Sequence, residues 1–246
     1  METALAIIAG GFIGSVLGLV GAGGAMLSVP ILMYGFGFDP KPATTAALAV
    51  VLLAALSGLI PKVQKKQVLY RDAFVIWGIG LVTNLGFSSI VERIPDSVIT
   101  TGFAAVLILA GASMLRPPKL DEQKRMPFPV LIILSLIIGT ITGLFGIGGG
   151  FLAIPVLVLY FGTPQIVAAG TSLLIIVINS LTAFIGHRSQ WNDVQWHIPI
   201  LMGASAIVIA QIASHLAHKT SPVLLRRAFA YLLFAISIFT LIKTYL

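Results

Sequence analysis

The chain has 246 residues, of which 58% are hydrophobic and only 9% are charged, against about 25% charged residues in an ordinary soluble domain. Its mean hydropathy of +1.05 excludes a soluble globular protein and indicates an integral membrane protein. The net charge of +7 does not indicate nucleic-acid binding, because most Lys and Arg residues fall in short loops between apolar runs. The chain has no cysteine, which excludes disulfides, thiol chemistry and cysteine metal sites.

The apolar runs are long enough for transmembrane helices rather than for barrel strands. In chain order, the uncharged runs cover residues 3–38, 42–61, 73–91, 97–115, 126–187, 194–218 and 228–242. The first run lacks a basic leader, so we predict a mature span and not a cleaved signal peptide. A charged segment near the middle divides the chain into a first transmembrane repeat (1–115), an inside linker loop (116–127) and a second transmembrane repeat (128–246).

The two halves are similar in sequence. "GSVLGLVGAGGAMLSVPIL", from Gly14, aligns without a gap with "GTITGLFGIGGGFLAIPVL", from Gly139, so that their glycines and proline match at a spacing of 125. Further along, the spacing becomes 126 and pairs Thr45 with Thr171. Lys62 pairs with Arg188 at the same spacing. We interpret the pattern as an internal duplication, which is common in transporter folds.

The direction of the repeats depends on whether each glycine-rich segment crosses the bilayer. If it returns to its starting side, each half makes three net crossings and the repeats are inverted; if it crosses, each half makes four and the repeats are parallel. The inverted arrangement places eleven Lys and Arg residues inside and four outside, against ten and five for the parallel one. We therefore predict an all-α polytopic membrane protein with two inverted repeats. Each repeat is a glycine-broken helix or hairpin followed by three transmembrane helices, and both termini lie outside.

The two glycine clusters are candidate anion-binding elements. They cover residues 21–24 and 146–150, and they should break a helix because each glycine costs about 1 kcal/mol relative to alanine. A break opens new helix N-termini near Ala25 and Phe151, whose free N–H groups and positive dipole attract an anion. Two such ends facing each other near mid-membrane would form one central site. Close helix packing is the better explanation for the preceding glycines, which are Gly14, Gly18, Gly139 and Gly143.

Polar side chains follow each glycine cluster. Thr45, Thr171 and Ser172 could cap a helix or donate to an oxyanion, and the amide of Asn179 lies further along its span. His187 and Arg188 end a span beside two tryptophans, which indicates either an anion-attracting mouth or an interfacial anchor. The predicted substrate-binding residues are Gly21, Gly23, Gly24, Thr45, Gly146, Gly148, Gly149, Gly150, Thr171, Ser172, Asn179, His187 and Arg188.

The acidic residues and the missing motifs restrict the function. All eight Asp and Glu residues fall in termini or loops, whereas cation-coupled carriers often place a carboxylate inside a span. No phosphate-binding loop, metal-ligand spacing or catalytic constellation is visible, so we predict no enzyme activity, cofactor or metal. Anion export from a cell that is negative inside gains about 2.3 kcal/mol per charge per 100 mV, and needs no coupling ion.

The duplicated GxxGxGGG…P turn, Thr171-Ser172 at the start of the next span, and His187-Arg188 followed by Trp191 resemble the sulfite exporter TauE/SafE family. The resemblance covers nearly the whole chain. The first half departs from the pattern, because Ala25 replaces the last glycine and the Thr-Ser pair is absent.

The resemblance implies a multi-pass permease of a prokaryotic inner (plasma) membrane. Its expected activity is the export of a small sulfur-containing oxyanion such as sulfite or an organosulfonate. The alternatives are a carrier of another small anion or a neutral solute, and a membrane subunit without transport activity. The expected partners are the anion and the lipid bilayer, with no nucleic acid, and a homodimer stays open.

Overall fold

A computed structural model describes residues 2–21, 24–90, 95–115, 127–145, 150–159, 162–217 and 221–245. The first half contains α1 (Glu2–Val20), α2 (Gly24–Pro30) with a π-helical turn (Ile31–Gly35), α3 (Pro40–Gln64), α4 (Tyr70–Ile90) and α5 (Asp96–Leu115). The second half contains α6 (Phe128–Phe145), α7 (Gly150–Leu159), α8 (Gln165–Gly186), a 3₁₀ segment (Arg188–Asp193), α9 (His197–Leu216) and α10 (Pro222–Tyr245). Helices satisfy their backbone hydrogen bonds internally, as hydrocarbon requires.

The first half is a broken helix followed by three longer helices, as the sequence predicts, and in the second half α6 and α7 are likewise followed by three longer helices. α2 begins at Gly24 and α7 at Gly150, one residue before the predicted helix starts. The first break follows Gly21, whose φ of +79° is a left-handed conformation that favours glycine. The predicted all-α fold class is confirmed.

The outer surface of the helices is apolar. Large side chains stand exposed, including Ile8 at 67%, Leu109 at 70% and Val82 at 72%, as expected for surfaces that face lipid. Among the described residues, four helices are long and apolar enough to cross a membrane: Glu2–Val20, Pro42–Gln64, Gln165–Gly186 and His197–Leu216. The chain is a multi-pass membrane protein.

α1 and α9 pack in parallel through small residues. A Cβ atom added to Gly14 would lie 2.9 Å from the Cα atom of Ala206, a closer approach than any side chain allows. Glycines let transmembrane helices come together in this way. Along the interface, Gly10, Gly14 and Gly18 lie against Met202, Ala206 and Ala210 in turn. The packing role predicted for Gly14 and Gly18 is confirmed.

α3 runs in the same direction as α1. Gly203 and Ala210 of α9 lie against Leu53 and Gly58 of α3, so α3 is also parallel to α9. Two consecutive long helices with the same direction require the segment between them to return the chain to the side where α1 begins. α1 and the α2 segment together therefore make no net crossing.

The start of α2 shows where the chain reverses. A Cβ atom added to Gly24 would lie 2.7 Å from the carbonyl oxygen of Ile13 in α1, whereas a continuous helix would separate these residues by about 16 Å. The first glycine segment is therefore the hairpin that the inverted arrangement needs. The chain between α6 and α7, residues 146–149, lies outside the described residues.

α3 and α8, the equivalent helices of the two repeats, are antiparallel. Thr45 near the start of α3 bonds to His187 after the end of α8, and Gly170 near the start of α8 lies against Gln67 after the end of α3. This pair forms the centre of the molecule, since most of its residues are buried.

α5 and α10, a second equivalent pair, are also antiparallel. Thr101 near the start of α5 bonds to Tyr245 at the end of α10 with an oxygen–oxygen distance of 2.7 Å, and Gly111 lies against Ala230. Inverted repeats require that equivalent helices run in opposite directions, and these two pairs do. The orientation of these helices in the bilayer stays a prediction.

The two repeats interlock. α1 of the first packs on α9 of the second, and Gly80 of α4 packs on Gly139 of α6. This contact confirms the packing role of Gly139. The surroundings of Gly143 and most of the predicted linker, 116–126, lie outside the described residues, so the predicted repeat boundaries stay a prediction.

Candidate functional site

The predicted polar residues lie along α3 and α8, in two groups at opposite ends of this antiparallel pair. We call the first group the His187 end (Thr45, His187 and Gln190) and the second the Lys62 end (Lys62, Gln67, Leu69, Gly170 and Thr171). The stretch of α3 from Thr45 to Lys62 is about 25 Å long at the rise of an α-helix.

At the His187 end, Thr45 connects α3 to the segment after α8. Its hydroxyl donates to Oε1 of Gln190 over 3.1 Å and lies 3.1 Å from Nδ1 of His187. This hydroxyl therefore joins α3 to both His187 and the 3₁₀ segment that follows it. Thr45 is fully buried inside α3, and the N-cap position belongs to Asp39. The capping role considered for Thr45 is therefore wrong.

The charge at the His187 end is carried by Arg188. His187 is half-buried, and burial lowers its pKa below the ordinary value of about 6.5 because the charged imidazolium loses hydration. His187 is therefore uncharged at neutral pH. Arg188 is exposed and carries a permanent positive charge.

An aromatic cluster surrounds the same helix end. The rings of Phe184 and Trp191 stack at 4.7 Å, and the indole N–H group of Trp191 donates to the Phe184 carbonyl over 3.1 Å. Trp196 donates to the Trp191 carbonyl over 2.9 Å. Tryptophans are typical of the membrane–water interface. The geometry supports the anchor interpretation of this segment, and the anion-attracting mouth stays a prediction.

At the Lys62 end, Thr171 connects α8 to the turn between α3 and α4. The N–H group of Leu69 donates to the Thr171 hydroxyl over 3.0 Å, and this hydroxyl donates to the Val167 carbonyl over 2.8 Å. Thr171 is the seventh residue of α8 and caps nothing. Next to it, Gly170 lies against the Gln67 carbonyl, where a side chain would not fit.

The first glycine break belongs to the Lys62 end. Gly21 lies against Ala169, close to the start of α8, and Gly24 packs against Leu17 of α1. Gly150 is the first residue of α7. The predicted residues Gly23, Gly146, Gly148 and Gly149 lie outside the described residues.

Between the two ends, α8 buries further polar side chains. Ser172 and Ser180 are fully buried, and Asn179 is 6% exposed. Ser172 and Asn179 already have interaction partners. The Ser180 hydroxyl is buried and has no hydrogen-bond partner among the described residues. Polar groups therefore follow α8 from one end to the other.

The described residues of the predicted site do not all lie together, and the central site stays a prediction, because Gly23, Gly146, Gly148 and Gly149 lie outside the described residues. Thr45 and Thr171 lie at opposite ends of the α3–α8 pair, and Gly21 lies near one end and not at its middle. The reason is the antiparallel packing: residues at equivalent positions of two antiparallel helices separate toward opposite ends. Sequence alignment of the repeats pairs these residues but does not give the direction of the helices.

Sequence reasoning missed five residues of these groups: Lys62, Gln67, Leu69, Gly170 and Gln190. Lys62 is only 1% exposed, although its basic surroundings resemble an ordinary inside loop. Its repeat partner Arg188 was predicted to belong to the site, so the repeat pairing was a signal that could have identified Lys62. No sequence signal pointed to Gln190.

These features define the class of the protein: a polytopic α-helical membrane protein, built from two repeats, with polar side chains buried between them, as in membrane transporters. A family model described as "Sulfite exporter TauE/SafE" matches residues 6–240, and the chain belongs to this family.

Proteins with similar sequences come from bacteria and an archaeon. The chain is 28% identical over 246 residues to a "Probable membrane transporter protein" of Xylella fastidiosa, covering 96% of this chain and 94% of that one. It is 26% identical to YunE of Bacillus subtilis, another "Probable membrane transporter protein", over 80% and 81% of the two chains. A Methanocaldococcus jannaschii protein of the same description is 34% identical over about half of each chain, 49% and 47%. The chain is a membrane transporter and not an enzyme.

Proposed function

We propose that this transporter exports a small sulfur-containing oxyanion, such as sulfite or an organosulfonate. The family description supports the substrate class, since its name refers to sulfite export. The chemistry of the α3–α8 pair supports a polar substrate that accepts hydrogen bonds.

The observation that carries the proposal is the row of buried polar groups on α8. Thr171, Ser172, Asn179 and Ser180 are each at most 6% exposed, in a helix long and apolar enough to span the membrane. Polar side chains at such depth are expensive and mark substrate pathways in transporters. Hydroxyl and amide groups can donate to the oxygens of an oxyanion, and within the described part of the chain the Ser180 hydroxyl has no hydrogen-bond partner.

The distribution of charged side chains favours an anionic substrate over a cationic one. In the described spans the acidic side chains stand at helix starts, as Glu2 of α1 and Asp72 of α4 do, and the buried ionisable side chain is Lys62. A cation pathway would need a carboxylate where these helices carry hydroxyls.

The test is efflux of sulfite, sulfoacetate, taurine, sulfate and chloride from proteoliposomes. We expect the sulfur oxyanions to leave faster than chloride, and Ser180→Ala to raise the KM for sulfite about two- to tenfold, the loss of one neutral hydrogen bond. Ser135→Ala is the matched control, because this equally buried hydroxyl donates to the Leu131 carbonyl in its own helix. Efflux of every anion at the rate of protein-free liposomes would refute the proposal.

A further inference from the structure

Lys62 is buried at a position where the burial of a charged side chain requires an explanation. Its side chain is 1% exposed, near the end of a helix that is long and apolar enough to span the membrane. Lysine is almost never fully buried unless it is paired. Within the described ranges, no carboxylate forms an ion pair with Lys62 and no acceptor bonds to its ammonium group.

The stem of Lys62 packs against the start of α8. A Cβ atom added to Gly170 would lie 3.2 Å from the Cβ atom of Lys62. Gly170 adjoins Thr171, whose hydroxyl holds the Leu69 N–H group. The buried cation thus lies beside the N-terminal turns of a long helix, where the helix dipole also favours negative charge.

A second donor group without a partner stands on the same helix end. The side-chain Nε2 of Gln165, the first residue of α8, is buried and has no acceptor among the described residues. Gln165 and Ala169 are one turn apart on the same face of the helix, and Ala169 contacts the first glycine break at Gly21. An ammonium group and an amide N–H group at one helix end therefore have no acceptor among the described residues, where the Oε1 atom of Gln67 is also buried without a donor.

The repeat-equivalent position differs. Arg188, which matches Lys62 at a spacing of 126, is exposed. The two halves thus share a cation at this position, but only the first half buries it against the partner repeat. The burial of Lys62 is specific to the Lys62 end.

We propose that Lys62 binds the transported oxyanion at the Lys62 end, with the amide of Gln165 as a second donor. This inference rests on the proposed function and identifies the residue that makes the transport site selective for anions. A buried ammonium attracts an oxyanion over a neutral solute of the same size and repels a cation.

A purely structural role makes a different prediction. Lys62 stands in the last turn of α3, where a cation stabilises the helix dipole. In that case Lys62→Gln would lower the melting temperature of the protein without ligand. If Lys62 is instead a binding residue, removing an unpaired buried charge leaves this melting temperature unchanged or raises it.

The experiment compares wild type, Lys62→Gln, Lys62→Arg and the control Lys65→Gln, a nearby exposed lysine. Melting temperatures are measured in detergent with and without sulfite, and sulfite efflux is measured in proteoliposomes. We expect Lys62→Gln to abolish the sulfite-dependent rise in melting temperature and to raise the KM for sulfite about tenfold or more, since a bond to a charged group is lost. Lys62→Arg should recover part of both effects, and Lys65→Gln should change neither.

Anionic lipid headgroups offer the same oxygen chemistry, so phosphatidylglycerol is added as a second ligand in lipid-depleted samples. If only the lipid-dependent stabilisation requires Lys62, the assignment of Lys62 to the transport site is overturned.

If wild type transports sulfite and Lys62→Gln keeps both the sulfite-dependent rise in melting temperature and the KM for sulfite, the inference fails and the proposed function stands. If no sulfur oxyanion is transported but one of them stabilises the protein through Lys62, the proposed function fails and the binding site stands. If none of these anions stabilises wild type, the inference fails.

Discussion

At the scale of single residues, buried polar side chains connect the two repeats through hydrogen bonds. Thr45 holds the segment after α8, and Thr171 holds the turn after α3. The two threonines match in the repeat alignment, and each bonds across to the other half. Their hydroxyls are already bonded, so an anion can use them only if these contacts rearrange.

The pKa of His187 gives a residue-scale prediction. Burial lowers this pKa below about 6.5, so the neutral form is favoured by folding. The stability that depends on neutral His187 is present above pH 6.5 and is lost as the pH falls from there toward the lowered pKa. We expect NMR titration to give a pKa below 6.5. Thermal unfolding of His187→Asn should depend less on pH between about 5 and 6.5 than that of wild type, and equal pH profiles would contradict the assignment.

At the scale of secondary structure, the spans and the first glycine break could be predicted because their causes are local. Long apolar runs and, at residues 21–24, clustered glycines set the bounds of these helices whatever their neighbours are. The pairing and direction of α3 and α8 could not be predicted, because both are set by packing between distant segments. Lys62 was missed for this reason: its sequence surroundings are those of an inside loop, and only the packing of α8 buries it.

Two glycines of α1 give an element-scale prediction. Gly14→Ala places a Cβ atom 2.9 Å from the Cα atom of Ala206, whereas at Gly11 the nearest atom, on Ile209, is 3.6 Å away. Gly14→Ala should cost about 1–3 kcal/mol through overpacking of α1 against α9. Gly11→Ala should be neutral or stabilise by up to about 1 kcal/mol through helix propensity. Thermal unfolding in detergent measures both, and equal effects would show that α1 does not pack on α9 as described.

At the scale of the whole molecule, opposed equivalent helices and the first-half hairpin favour inverted repeats. The same geometry gathers Lys62, Lys65, Lys66 and Arg71 at one end of the α3–α8 pair, and leaves Arg188 at the other. The positive-inside rule then predicts that the Lys62 end faces the cytoplasm and the His187 end faces the outside.

The topology can be measured directly because the chain has no native cysteine. Lys66→Cys and Asn192→Cys place single thiols on exposed residues at opposite ends of the pair. A membrane-impermeant maleimide on intact cells should label Asn192→Cys, and should label Lys66→Cys only after the membrane is permeabilised. Labelling of both thiols from outside would rule out the inverted arrangement.

The central claim is that the chain carries a small sulfur oxyanion across the membrane. Its most direct test is sulfite efflux from proteoliposomes under an imposed membrane potential. We predict efflux well above that of protein-free liposomes, faster when the lumen is negative, since each charge gains about 2.3 kcal/mol per 100 mV. Sulfite efflux equal to that of protein-free liposomes at every potential would contradict the account.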